Sequence, residues 1–171
     1  LLILIPYFVV LIILAFYGSH RYFLLYAYYR NRKNRPATPE ANLCPLPRVT
    51  VQLPVYNERY VVERLIEEAC RMEYPRELLE IQVLDDSTDD TVARARDCVE
   101  RYEKLGHPIR YFHRDNREGY KAGALAEGLQ AATGEFVAIF DADFLPPSDF
   151  LTKTLTYFAD SKVGMVQTRW S

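Results

Sequence analysis

The chain has 171 residues, enough for one domain of ordinary size built on one core. Its formal net charge of −2 conceals an asymmetry: residues 1–48 carry six basic side chains and one acidic, while residues 49–171 carry the other 15 basic and 22 acidic, a balance of −7. Nucleic-acid binders usually show a basic footprint, so nucleic acid is excluded as an expected partner.

The first predicted element is an N-terminal anchor. "LLILIPYFVVLIILAFY", residues 1–17, holds no charge and as a helix would span roughly 26 Å, close to the hydrocarbon thickness of about 30 Å. The aromatic-rich "RYFLLYAYYRNRKNR" follows, where a signal peptide would present a small-residue cleavage site. Residues 1–29 therefore read as a transmembrane helix with an interfacial segment. Arg30, Arg32, Lys33 and Arg35 flank it, and basic flanks favour the cytoplasmic side. The expectation is an integral membrane protein in contact with the lipid bilayer, its following domain in the cytoplasm. Residues 30–47 are basic, then Pro-rich, and read as a linker. Because the sequence opens on Leu1 inside an apolar run and closes on "VGMVQTRWS", it reads as a piece of a longer protein.

From residue 48 strands and helices alternate. "RVTVQLPV", "LEIQVLDD", "IRYFHR", "EFVAIFDAD" and "GMVQTRW" read as strands. "VVERLIEEACRM", "TVARARDCVERYEKL", "KAGALAEGLQAAT" and "PSDFLTKTLTYF" read as helices, the first two with apolar residues at helical spacing. This order implies an α/β domain with a mostly parallel sheet covered on both faces. Cys44, Cys70 and Cys98 lie 26 and 28 residues apart with no CxxC or Cys/His cluster, so neither zinc nor a disulfide framework is expected. His20, His107 and His113 are scattered and read as surface or packing residues.

Ligands of parallel sheets bind beyond the carboxyl ends of the strands. That rule gathers Tyr56-Asn57-Glu58, Asp85-Asp86, "REGYK" at 117–121 and Asp141-Ala142-Asp143 at one edge. Residues i and i+2 of an extended chain point the same way, so Asp141 and Asp143 would face one point, a costly arrangement unless a cation lies between them. Mg²⁺ suits such a pair, since it takes one or two carboxylates together with substrate phosphates, and Mn²⁺ accepts the same oxygen ligands. As a lone motif DxD is common in solvated turns, and its place among the other polar strand ends is what singles it out. Asp85 and Asp86 can accept hydrogen bonds from a nucleobase or ribose, whereas Asp89 and Asp90 read as helix caps. Lys121 opens a helix beside Gly119 and Gly123, where a lysine and free N–H groups can hold a phosphate.

"VQLPVYNE", "LDDSTDDT", "REGYKAGAL", "FDADF" and "VQTRW", in this order and spacing, resemble the family-2 glycosyltransferases, and more narrowly the cellulose-synthase-like branch that includes the glucomannan synthases. The resemblance covers residues 48–171 and implies the donor-binding part of a GT-A domain, with inverting transfer of a sugar from a nucleotide-sugar donor to a glycan or polysaccharide acceptor. It implies that Tyr56 and Glu58 line the base and ribose pocket and that Asp85 and Asp86 contact base and ribose. Lys121 and Asp141 would serve the donor diphosphate, and Asp141 and Asp143 would hold the metal. The family's acidic general base is expected beyond Ser171. "QTRW" places one residue between Gln167 and Arg169, where the acceptor-site motif of the processive synthases has two, so the acceptor half is expected to be missing. Two other classes are weighed. A Mg²⁺-dependent phosphotransfer domain also uses strand-end aspartates, but here the DxD lacks the following threonine and Lys121 precedes it. A membrane-tethered pseudoenzyme or scaffold is opposed by the full carboxylate set. Donor sugar, acceptor and protein partners are left open.

Overall fold

A computed structural model describes residues 4–33 and 44–168. The chain divides into two units, residues 1–38 and 39–171. In the first, helix α1 runs over Leu4–Asn31 with every described residue but Ala27 exposed. It is the one helix among the described residues long and apolar enough to cross a bilayer, with mean hydropathy 1.7 over its best window. A signal sequence can meet the same length and composition.

The second unit contains β1 (Val49–Val55), α2 (Val62–Cys70), β2 (Leu79–Asp85), α3 (Thr91–Lys104), β3 (Ile109–His113), α4 (Tyr120–Ala131), β4 (Phe136–Ile139) and α5 (Phe150–Leu155). The sheet order is β3-β2-β1-β4, all parallel, with Val49 opposite both Leu79 and Phe136. The chain steps outward from β1 to β2 and β3, then returns through α4 to lay β4 on the other side of β1. Such a reversal opens a crevice at the strands' carboxyl ends.

The two central strands are fully buried but are not apolar throughout. Val49, Val51, Leu53 and Val55 join Ile81 and Val83 in a core with Leu65, Ile66, Ala69, Ala95 and Val99 of α2 and α3. Leu151 and Leu155 of α5 join the same cluster. On the opposite face Thr50, Gln52, Glu80 and Gln82 are also buried, and a side-chain network satisfies them. Gln52 donates to Gln82 at 3.0 Å and Gln82 to Glu80 at 3.1 Å. Glu80 also accepts from the Thr50 hydroxyl and from the Thr133 N–H and hydroxyl, at 2.8–2.9 Å. Gly128 lets α4 lie on this network, because a Cβ there would come within 2.7 Å of the Gln52 amide.

Glu80 makes this face sensitive to pH. Burial pushes its carboxyl up, but the hydrogen bonds from Thr133, Gln82 and Thr50 outweigh it and hold the group below the ordinary glutamate value. The contribution is therefore complete above the unfolded-chain value of about 4.3 and is lost as pH falls through the lower folded value. Glu80→Gln would set an amide against these donors and should cost about 1–3 kcal/mol at pH 7. Urea unfolding from pH 7 to 3 should show the gap between the proteins closing at the acid end.

Three sequence expectations are corrected. The fourth strand was expected to reach Asp143 and ends at Ile139. Gln52 O accepts the Phe140 N–H at 3.1 Å, and the next rung toward β4 would need an N–H from Pro54, which has none. The chain then turns, with Phe144 N donating to Asp141 O at 2.9 Å. Asp141 and Asp143 thus sit in a turn rather than on one face of an extended strand. The third correction is that no strand forms over residues 164–168 of the expected fifth; Arg169 and Trp170 lie outside the described residues, as does much of the linker. The final helix is also short, passing into a 3-10 turn at Thr156–Ala159. Among the described residues all three cysteines are free thiols, and burial pushes Cys70 up to about 12.

Candidate functional site

A cleft of about 410 Å³ opens at the carboxyl ends of β1, β2 and β4. Tyr56 and Glu58 enter it after β1, Asp86 after β2, Arg117 and Lys121 around the start of α4, and Asp141 and Asp143 after β4. Six of the seven candidate residues from the sequence therefore line one space. The seventh, Asp85, does not. It is the last residue of β2 and lies in register with Val55, on the α3 side of the sheet. There it is completely buried and accepts from the Tyr111 hydroxyl at 2.6 Å and the Ser87 N–H at 2.8 Å. Burial and this carboxylate together raise the Tyr111 phenol above its ordinary value. Asp86, one residue on, turns to the α4 side.

The loops that carry these groups are tied to one another. Asp86 N donates to Val55 O at 3.0 Å. Asn57, at φ 54°, donates its N–H to the Ser87 hydroxyl and accepts the Thr88 N–H on its side chain. Asp89 accepts the Thr91 N–H and caps α3 as expected, while Asp90 makes no side-chain cap.

Arg114 is a residue the sequence reading missed. Its Nε and Nη2 reach the two Asp86 carboxylate oxygens at 2.8 and 2.6 Å. It also donates to the carbonyls of Glu118 and Tyr120 at 3.3 and 3.1 Å. Arg114 therefore joins the end of β2 to the turn that opens α4. That turn is tight: Gly119 and Tyr120 both have positive φ, and a Cβ on Gly123 would fall 2.0 Å from Glu118 O. The effect is to bring Arg117 and Lys121 over the cleft. The Arg117 guanidinium lies 3.2 Å from the Tyr56 ring centroid.

Asp141 and Asp143 are both exposed to the cleft. Asp141 already takes one cation, the Lys121 ammonium, in an ion pair. Among the described residues no three acidic, His or Cys side chains converge as a metal-binding group. The donor set is thus two hard carboxylates, which fits Mg²⁺ or Mn²⁺ completing its shell with water and substrate phosphates.

The Glycosyl transferase family 2 profile matches residues 50–171. The chain belongs to glycosyltransferase family 2. Glucomannan 4-beta-mannosyltransferase 9 of Arabidopsis thaliana is 46% identical over 132 residues, covering 72% of this chain and 24% of the relative. Probable glucomannan 4-beta-mannosyltransferase 2 of Oryza sativa subsp. japonica is 48% identical over 138 residues, 77% of this chain and 24% of the relative. The family-2 chain thus spans about a quarter of the length of these relatives. Among solved structures, the mannosyltransferase PcManGT of Pyrobaculum calidifontis, in complex with GDP-Man and Mn²⁺, superposes with a TM-score of 0.73 at 35% identity. The match covers 88% of this chain and 44% of that one. S. aureus TarS shares the fold at 23% identity and a TM-score of 0.57, over 67% of this chain and 20% of its own. The family-2 unit is accordingly a GT-A-like α/β fold, and the resemblance to the glucomannan-synthase branch read from the motifs agrees with its relatives.

Proposed function

We propose that this chain is the donor-binding part of a membrane-anchored, inverting hexosyltransferase that moves a sugar from a nucleotide-sugar donor to a growing β-linked polysaccharide or glycan. The observation that carries the reading is the convergence of Tyr56, Glu58, Asp86, Lys121, Asp141 and Asp143 on one cleft of a family-2 domain. GDP-mannose is the first donor to test, on the strength of the mannosyltransferase relatives and the GDP-Man complex of the 35%-identical structure; UDP-glucose is the second.

Tyr56 and Glu58 flank base and ribose. Asp86, held by Arg114, presents a fixed acceptor edge beside them. Lys121 meets the diphosphate and offsets its charge. Asp141 and Asp143 hold Mg²⁺ or Mn²⁺, which when bound supplies Lewis-acid stabilisation of the departing nucleoside diphosphate. Asp85 acts from beneath, fixing the loop that bears Asp86. The base that takes the acceptor's proton is assigned to no residue of this chain and is sought beyond Ser171. Helix α1 anchors the domain, and Arg30, Arg32, Lys33 and Arg35 keep the cleft on the cytoplasmic side.

The test is transfer by the full-length protein in proteoliposomes, with labelled GDP-mannose and UDP-glucose in parallel. Label should enter polymer from one donor in a Mn²⁺- or Mg²⁺-dependent way. Incorporation from neither, with no nucleotide bound by the folded protein, would leave a scaffold role instead.

A further inference from the structure

The cleft contains a cation whose role nothing above defines. Arg114 is committed to Asp86 and Lys121 is paired with Asp141. Arg117 is different: among the described residues no carboxylate pairs with it. Its partners are two aromatic rings, Tyr56 with the guanidinium carbon 3.2 Å from the centroid and Tyr120 at 5.2 Å. Both rings are exposed, Tyr56 by 38% and Tyr120 by 68%, and Tyr56 lines the cleft. The backbone that places them is unusual. Tyr120 is a non-glycine residue at φ 52°, next to Gly119 at φ 69°, and such positions persist only where the surroundings impose them. Here the Arg114 bonds to the Glu118 and Tyr120 carbonyls impose it.

A guanidinium held against aromatic rings keeps its in-plane N–H donors for other acceptors, and these match phosphoryl oxygens in a fixed fork. Cation–π contact also holds the side chain in place at an otherwise exposed position. Asp86 is neutralised by Arg114 and Asp141 by Lys121, while the cleft-lining Glu58 and Asp143 have no ion-pair partner among the described residues. An anion beside Arg117 is therefore favoured when a divalent cation offsets these carboxylates, and Arg117 is the cleft cation without an acidic partner among the described residues.

We propose that Arg117 is a further donor-binding residue, its guanidinium positioned by Tyr56 and Tyr120 to donate edge-on to the phosphoryl oxygens of the nucleoside diphosphate. This rests on the donor-cleft reading above. The competing role for the same geometry is a lid: a guanidinium 3.2 Å from the Tyr56 ring leaves no room for a base between them, and removing a lid would tighten binding.

The experiment is calorimetry of GDP with Mn²⁺, and of guanosine as the uncharged probe, on the full-length protein and on Arg117→Met and Arg117→Lys. Arg117 is exposed, so both variants should fold, which thermal unfolding checks. Arg117→Met should weaken GDP roughly 10- to 30-fold, in line with a charge-assisted hydrogen bond, and leave guanosine unchanged. Arg117→Lys should fall between, keeping charge without the fork. GDP binding that Arg117→Met leaves unchanged overturns the Arg117 assignment alone, and tighter GDP and guanosine binding establishes the lid in its place. Wild-type protein that binds neither GDP nor UDP with Mn²⁺ overturns the donor-cleft reading, and this inference with it.

Discussion

Asp143→Ala should abolish metal-dependent nucleotide binding while slightly improving the weak binding seen without metal. The two effects have opposite signs because the cleft's carboxylates act in two ways. On the proposed reading they hold the divalent cation when it is present. Asp141 already has a positive neighbour in Lys121, whereas Asp143 has no ion-pair partner among the described residues and is the freer ligand. Losing one of only two protein ligands should cost at least about a hundredfold in Mn²⁺-dependent GDP affinity, or about 2.7 kcal/mol. Without the cation, the same carboxylates repel a diphosphate; a unit charge pair at about 4 Å is worth roughly 4 kcal/mol at an effective dielectric constant of 20. Removing Asp143 relieves part of that. Calorimetry with and without Mn²⁺ reads both signs, and Asp143→Asn, which keeps the volume, should behave alike. A variant that binds GDP–Mn²⁺ as tightly as wild type would remove the DxD turn from the donor site.

The framework of this site could be read from the sequence where the pattern depended on neighbours along the chain. β1 and β2 fall close to their expected limits because apolar alternation and the turn residues after them are local signals. What depended on partners across the sheet could not be read. Where β4 ends is decided by Pro54, a residue of β1, and without knowing that β1 and β4 are neighbours there is no reason to stop at Ile139. The same ignorance made the DxD look extended. Asp85 and Asp86 were treated as a unit although alternation sends adjacent residues to opposite faces; counting parity from Gln82 and Leu84 would have separated them. Arg114 and Arg117 lie in a loop where arginines are usually solvated, and their partners come from the turns after β1 and β2 and from the start of α4. The buried polar face of Thr50, Gln52, Glu80 and Gln82 could not be read either, since polar residues alternating with apolar ones along a strand look solvent-facing. Only the cover of α4 makes those polar groups interior.

Arg114→Met should be the most destabilising single change near the cleft, by about 3–5 kcal/mol. The Arg114 and Asp86 side chains are only 9% and 4% exposed, so the guanidinium is the counter-charge for a carboxylate that water barely reaches. Asp86 in turn strengthens the positive charge on Arg114. Deleting the arginine leaves a near-buried anion unpaired and also releases the carbonyls of Glu118 and Tyr120 that shape the turn into α4. Against a typical domain stability of 5–15 kcal/mol this is a large share. The pair itself need not be stabilising: ion pairs of this kind can often be replaced by apolar residues with little loss. Asp86→Leu combined with Arg114→Met should therefore recover much of the stability lost by Arg114→Met alone, and urea unfolding of the three proteins measures the coupling. The double variant should still bind GDP–Mn²⁺ poorly, because Asp86 is gone from the cleft and the turn carrying Arg117 and Lys121 has lost its tie to β2. Stability restored together with full nucleotide affinity would show instead that the Arg114–Asp86 pair has no part in organising the site.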